Sequence, residues 1–315
     1  MSNASGTDLQ TEPSTNMQNH DDAPNIPPAI ALATPFAIGL KPIDGQPWLV
    51  MDEDVEPFRA EKLTLYDTAF HDVNMGRSDT LAAQEEVARL IRDALHLIPA
   101  SPWKFETYGT ATKDGEVRIE ANPSHPISAA ALLVPDDLLL MRREEDGWRL
   151  VAGSLAFPSS WRFKDKFDKT MERIHEPVPI DDRMHSRITR IFDMLRADTP
   201  LWRTNWSLDP HYNLREEKGE THTSEKGLPP GGEAYLRTEL QTLHKLPESG
   251  DILFTVRTKL RQLERLKDNA TGRQNLALLC RQFRDMSDEQ RRYKGLTADA
   301  AQLIGWLKEQ VGETA

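Results

Sequence analysis

Hydrophobic and polar positions along this chain switch between a helical and a strand period, and the switches mark out its elements. From Ser78 to Ile98, Leu81, Val87, Leu90, Ile91, Ala94 and Leu95 fall largely on one side behind an N-cap serine, which predicts an amphipathic helix. Alternation then predicts strands near 115–120, 130–134, 137–141 and 148–156, with Asp146-Gly147 turning the last hairpin. A short helix must end at about His175, because Pro177 and Pro179 cannot continue it and Pro177 biases Glu176 toward extended geometry. A second helix is predicted from Asp181 to about Leu195, and further strands at about 200–208, 234–246 and 251–259, with a Pro- and Gly-containing loop over 209–233. After Leu260 the pattern is purely helical, through Leu263, Leu266, Leu276, Leu279, Phe283, Met286, Leu303, Ile304 and Leu307. The order of helix, strands, two helices, strands and helices predicts an α+β fold with a mainly antiparallel sheet.

Residues 1–28 are rich in Asn, Thr, Ser, Asp and Pro and read as a disordered arm. A folded domain is expected over 29–268, followed by a helical extension over 269–315. The first 40 residues hold no Lys or Arg, which disfavours a secretory or mitochondrial leader, and the run from Ala29 to Leu40 is too short, and broken by Pro35, to span a membrane. A cytoplasmic protein is expected. With 315 residues, 38% of them hydrophobic, the chain can bury a substantial core, and its net charge of -11 disfavours nucleic acid and anionic membrane as partners. Cys280 is the single cysteine; it excludes an internal disulfide or a multi-cysteine metal site, and its helical setting suggests a buried structural thiol.

His175 is the first candidate for chemistry. Locally it reads either as a capping residue that bonds the last helical carbonyls or as a base or metal ligand favoured by those carbonyls. His185, the second candidate ligand, also reads as an exposed helix histidine beside Asp181 and Asp182, and His244 shares a strand face with Leu236, Leu240 and Leu246, which suits core packing. Tyr235, Arg237, Glu239, Gln241 and Leu243 share the other face, either a solvated sheet surface or the lining of a pocket. On the preceding strand Arg203 and Asn205 share one face, and Trp202, Thr204 and Trp206 the other. Rings from Trp202, Trp206 or Tyr235 near a carboxylate would suit an alkylammonium ion, although each also reads as core. No Gly-x-Gly-x-x-Gly is present, so a nicotinamide fold in this chain is not expected.

Four blocks occur in order: Phe157-Pro158-Ser159-Ser160-Trp161, Ile174-His175-Glu176-Pro177-Val178-Pro179, Arg203-Thr204-Asn205-Trp206, and Leu236-Arg237-Thr238-Glu239-Leu240-Gln241-Thr242-Leu243. Over roughly 35–268 the chain resembles the haem-dependent oxidative N-demethylases, the catalytic subunits of dimethylamine monooxygenase. The resemblance implies a PAS-like haem-binding sheet with His175 as the iron ligand. It implies cofactor contacts from Arg237, Arg203 and Trp161, and places Glu239 and Gln241 where they order water or a protonated amine. The reaction implied is N-demethylation of a small secondary amine, dimethylamine-like, to the primary amine and formaldehyde, with electrons from a separate reductase subunit carrying NADPH, FMN and an iron–sulfur cluster. Two departures stand out: Leu240 where the family has a basic residue, and Lys166-Phe167-Asp168 where it has Lys-Leu-Gly. A haem sensor without turnover and a haem-free structural subunit are the alternatives.

Overall fold

A computed structural model describes residues 36–43, 48–99, 101–105, 111–113, 117–120, 122–215 and 227–312. The expected arm over 1–28 and the middle of the 209–233 loop lie outside these residues. Within them the fold is α+β. An antiparallel sheet runs in the order β1 (Lys41–Pro42), β8 (Leu201–Asp209), β9 (Tyr235–Lys245), β10 (Ile252–Gln262), β6 (Asp137–Glu144), β7 (Gly147–Ser154), β2 (Asn74–Gly76). A small second sheet joins β3 (Trp103–Phe105), β4 (Ala111–Lys113) and β5 (Val117–Ile119).

Both faces of the large sheet are covered, so the alternation in β8–β10 separates two interiors rather than an interior from solvent. On one face Trp206, Leu208 and Leu236 pack under α7 (Ala270–Asp285) and α9 (Ala300–Val311), together with a buried Cys280. Further along that face Leu138, Leu140 and Leu253 pack against α2 (Leu81–His96) and α3 (Pro126–Ala131). The opposite face carries Leu139, Met141, Leu243 and Ile252, which pack against Phe163 of α4 (Phe163–Lys166), Met171 of α5 (Met171–His175) and Phe192 of α6 (Asp182–Met194). Each such side chain removed from water contributes about 1.5–3 kcal/mol, so the clusters fix how α5 and α6 seat on the sheet. Trp148 Nε1 donates to Asp193 Oδ1 at 2.8 Å, tying α6 to β7 as well.

Several expectations are corrected. Residues 130–134 are not a strand: α3 has Pro126 in its first turn and an Ala-rich run, both helix-compatible, and buries Ala130 and Ala131. The β6–β7 hairpin closes at the Glu144–Gly147 pair, so Glu145-Asp146 form the turn, and Gly147, at φ +134°, supplies the positive φ on entering β7. Glu176 is helical rather than extended, since Val178 N–H donates back to the His175 carbonyl at 2.8 Å and closes one more turn. A long helix, α1 (Val55–Val73), has no counterpart in the predicted pattern.

Candidate functional site

The short helix α5 is bounded at both ends by side-chain chemistry. The Thr170 hydroxyl accepts the amide of Arg173, and Lys166 Nζ donates to the Ile174 carbonyl at 2.9 Å. His175 Nδ1 lies 2.8 Å from the Met171 carbonyl. A carbonyl can only accept, so Nδ1 carries the proton and the lone pair sits on Nε2, which makes no hydrogen bond among the described residues. Burial holds the imidazole below its ordinary pKa, against the bond to Met171, and the charges of His185, Arg203 and Lys166 add to the effect. The helix carbonyls therefore do not make it a stronger base; the ring is kept neutral. A hollow of about 420 Å³ between α5 and α6 is lined by His175, Met171, Ile188, Thr189 and His185, so His185 is a half-buried neighbour rather than an exposed helix histidine. That volume lies within the range of roughly 300–1,000 Å³ usual for small-molecule sites.

The sheet face that meets α5 and α6 is the one that carries the polar file. Register pairs Arg203 with Gln241, Asn205 with Glu239 and Ser207 with Arg237. Oε2 of Glu239 accepts Nδ2 of Asn205 at 3.2 Å and Nε2 of Gln241 at 2.9 Å, while Oε1 stands 3.6 Å from Arg237 Nε. Arg237 is wholly buried; its Nη2 donates to the Phe157 carbonyl at 2.6 Å and its Nη1 to the Leu214 carbonyl at 3.1 Å. Arg203 is different. It is half-buried, its Nε, like that of Arg237, is buried without a hydrogen-bond partner, and among the described residues neither a hydrogen bond nor an ion pair holds the rest of its fork. Burial lowers its pKa, with Glu239 opposing, yet a guanidinium stays charged at any ordinary pH. A neutral histidine with an open lone pair thus lies within electrostatic reach of an unpaired cation, although Arg203 does not itself line the hollow. That arrangement fits a metal-centred group with acidic side arms.

A family model matches residues 39–304, most of the chain. The chain belongs to the haem-dependent oxidative N-demethylase, alpha subunit-like family. The four blocks read in the sequence all fall inside that match, and so do α7 and α8 (Asp288–Tyr293). The residues fit the group the family name implies. An imidazole whose Nδ1–H is fixed by a carbonyl presents Nε2 in the form that ligates iron, and the orphaned Nε of Arg203 offers a donor for a carboxylate. No cluster of three or more His, Cys, Asp or Glu able to hold a bare metal ion occurs among the described residues; a haem asks far less of its protein, one or two axial ligands.

The remaining sequence-predicted residues divide. Trp161 is half-buried and packs with the cluster that seats α5; Ser160 before it adopts φ +65°, turning the chain into that cluster. Trp206 is buried on the opposite face and donates from Nε1 to Gln282 at 2.8 Å, and Trp202 shares that face beneath Lys41, so neither ring stands beside Glu239. Tyr235 lies on the polar face at the start of β9, against Tyr212. His244 is core, its ring tilted against Trp48 with centroids 4.1 Å apart, and burial pushes its pKa down to about 3. Sequence reasoning missed Tyr293, whose phenol is pushed up to about 12 by burial and then by the nearby Glu239 carboxylate. It arrives on α8, pinned at the open side of β8 by Lys294 Nζ, which donates to the Trp206 carbonyl at 2.7 Å.

Proposed function

We propose that this chain is the haem-carrying, amine-oxidising subunit of an oxidative N-demethylase whose substrate is a small secondary amine of the dimethylamine type. The observation that carries the reading is a neutral His175, with Nε2 open, within electrostatic reach of an unpaired Arg203 on the polar face of the sheet. His175 Nε2 holds the iron, Arg203 holds a propionate, and Trp161 packs along the cofactor. Arg237 supports the same face from within, its fork taken up by carbonyls. Glu239, steadied by Asn205 and Gln241, receives the ammonium form of the amine or an ordered water. The bound haem supplies oxidation of the N-methyl C–H bond, which consumes O2, two electrons and two protons and yields a carbinolamine and water. The carbinolamine loses formaldehyde and leaves the demethylated amine.

Electrons come from a separate reductase subunit bearing NADPH, FMN and an iron–sulfur cluster, a partner suggested by the alpha-subunit-like family and by the absence of any nicotinamide fingerprint in this chain. Residues 29–268 are read as the PAS-like haem domain and 269–315 as a helical extension, whose α7 and α9 cover one face of the sheet over Trp206, Leu208 and Leu236. A cytoplasmic location accords with the described residues, in which no helix is long and apolar enough to cross a membrane. The test is an absorption spectrum followed by a formaldehyde assay with reductase, NADPH and a panel of methylamines. A Soret band with formaldehyde release is expected. Haem without formaldehyde from any amine would replace this reading with that of a sensor, and no Soret band after haem loading would leave a structural subunit.

A further inference from the structure

Asp137 opens β6 and is wholly buried. One of its carboxylate oxygens accepts the amide of Ala156 at 2.8 Å and the other the amide of Phe157 at 3.0 Å. The Phe157 carbonyl accepts Nη2 of Arg237 at 2.6 Å, and Nε of Arg237 stands 3.6 Å from Oε1 of Glu239. A file of polar contacts thus runs from the start of β6, through the backbone after β7, to the carboxylate on β9; its last step is an ion pair at 3.6 Å without a hydrogen bond. Its charge is offset from below by Lys62, a fully buried ammonium that donates to the carbonyls of Ala131, Val134 and Asp136 at 2.9, 3.0 and 2.5 Å. A buried carboxylate with two backbone donors and a cation nearby has little freedom, because moving it would leave charges and N–H groups unpaired.

We propose that Asp137 is a positioning residue for Glu239. It fixes the Ala156-Phe157 peptides, these aim the fork of Arg237, and Arg237 sets the Glu239 carboxylate. The inference rests on the role given above to Glu239 as the group that receives the amine. Asparagine would not serve at position 137, since an amide offers one accepting oxygen and turns an NH2 group toward the second backbone N–H.

The test uses the haem-loaded full chain and Asp137→Asn. Its first readout is the 15N resonance of Arg237 Nε–H, assigned with Arg237→Lys. In the asparagine variant the Arg237 fork should loosen, so this buried N–H signal should shift and exchange with solvent about tenfold faster, the equivalent of losing the Nη2 bond to the Phe157 carbonyl. Exposed Asp79→Asn should leave it unmoved. The second readout is kinetic: KM for dimethylamine should rise about tenfold with kcat changed less than about threefold, and Asp137→Asn placed in a Glu239→Gln background should cause no further loss, since residues acting through one group are not additive. An unmoved Arg237 signal, or fully additive losses, overturns the proposal. If wild-type protein oxidises no methylamine, the functional reading fails and the Arg237 signal alone decides the positioning. Should Asp137→Asn not fold, Asp137→Glu takes its place, and failure of both to fold makes Asp137 a folding residue and ends the claim.

Discussion

Two arginines on one face of the sheet, Arg203 on β8 and Arg237 on β9, look alike in sequence and share a buried Nε without a hydrogen-bond partner, yet they differ in burial and in what holds the rest of the fork. Arg237 is wholly buried, with its fork on the carbonyls of Phe157 and Leu214 and its Nε beside Glu239. Arg203 is half-buried, has an orphaned Nε, and acts electrostatically on His175. A guanidinium whose terminal nitrogens are matched by its own chain stabilises that chain; one with no such partners, near a histidine with an open lone pair, is free to take an anion from outside. On the proposed function, the difference gives a propionate to Arg203 and leaves Arg237 an internal task.

The largest effect should come from His175, which gives the Arg203 side of the comparison its meaning. His175→Ala removes Nε2, so haem content should collapse or the ferric spectrum change outright, while His185→Ala, on the same hollow, leaves both nearly intact. An unchanged spectrum in the His175 variant would detach Arg203 from any cofactor. Next in size is Arg237→Leu, which strands two carbonyl acceptors and Glu239 in the interior. Stability should fall by about 3–5 kcal/mol, read as a drop in Tm of roughly 6–15 °C, the usual result of breaking a buried charged contact. Arg203→Leu should instead barely move Tm and speed haem transfer to an apo-globin scavenger about tenfold, with lysine there restoring part of the hold. Equal Tm losses in the two leucine variants, or equal haem loss, would erase the distinction between them.

Part of this was legible in the sequence. Strict alternation between turn signals marks β8, β9 and β10 because each strand separates two environments, and the prolines after His175 end α5 at the residue expected. Helix α1 was not legible, because it buries Lys62 and leaves Leu63 44% exposed, so its pattern contradicts the usual rule. The run into Leu133 read as a strand since a short apolar stretch has no period of its own. Whether the polar file faced water or a pocket could not follow from alternation, as both faces are covered. Nor could the contrast of Arg203 with Arg237, which depends on where the carbonyls of Phe157 and Leu214 come to lie after the chain has folded. Tyr293 comes within electrostatic range of Glu239 from a helix distant in sequence, and no local signal announces it.

The smallest effect lies at the foot of the Arg237 file and probes whether its buried charges strain the fold. Asp136 is buried, its Oδ2 has no hydrogen-bond partner, and burial pushes its pKa up to about 6 despite Arg257 and Lys62. An unfolded aspartate titrates near about 3.9, so between those values the folded state holds the extra proton. Stability must then fall as pH rises from about 4 to about 6 and stay lowered above that, by about 1–3 kcal/mol from the shift alone. Asparagine mimics the protonated form. Asp136→Asn should therefore melt several degrees higher than wild type at pH 7.5, and the two curves should converge near pH 4. Lys62, whose pKa burial drags down to about 8, gives the complementary arm: the folded state releases its proton first, so stability climbs from about pH 8 toward the unfolded value near about 10.4. Because the Lys62 bond in this segment goes to the backbone carbonyl of Asp136, the asparagine variant keeps it and should leave the Arg237 Nε–H resonance where it was. A variant that is less stable than wild type at pH 7.5 would mean that the charge on Asp136 is needed to offset Lys62 and Arg257, and the burial argument for this corner of the sheet would be wrong.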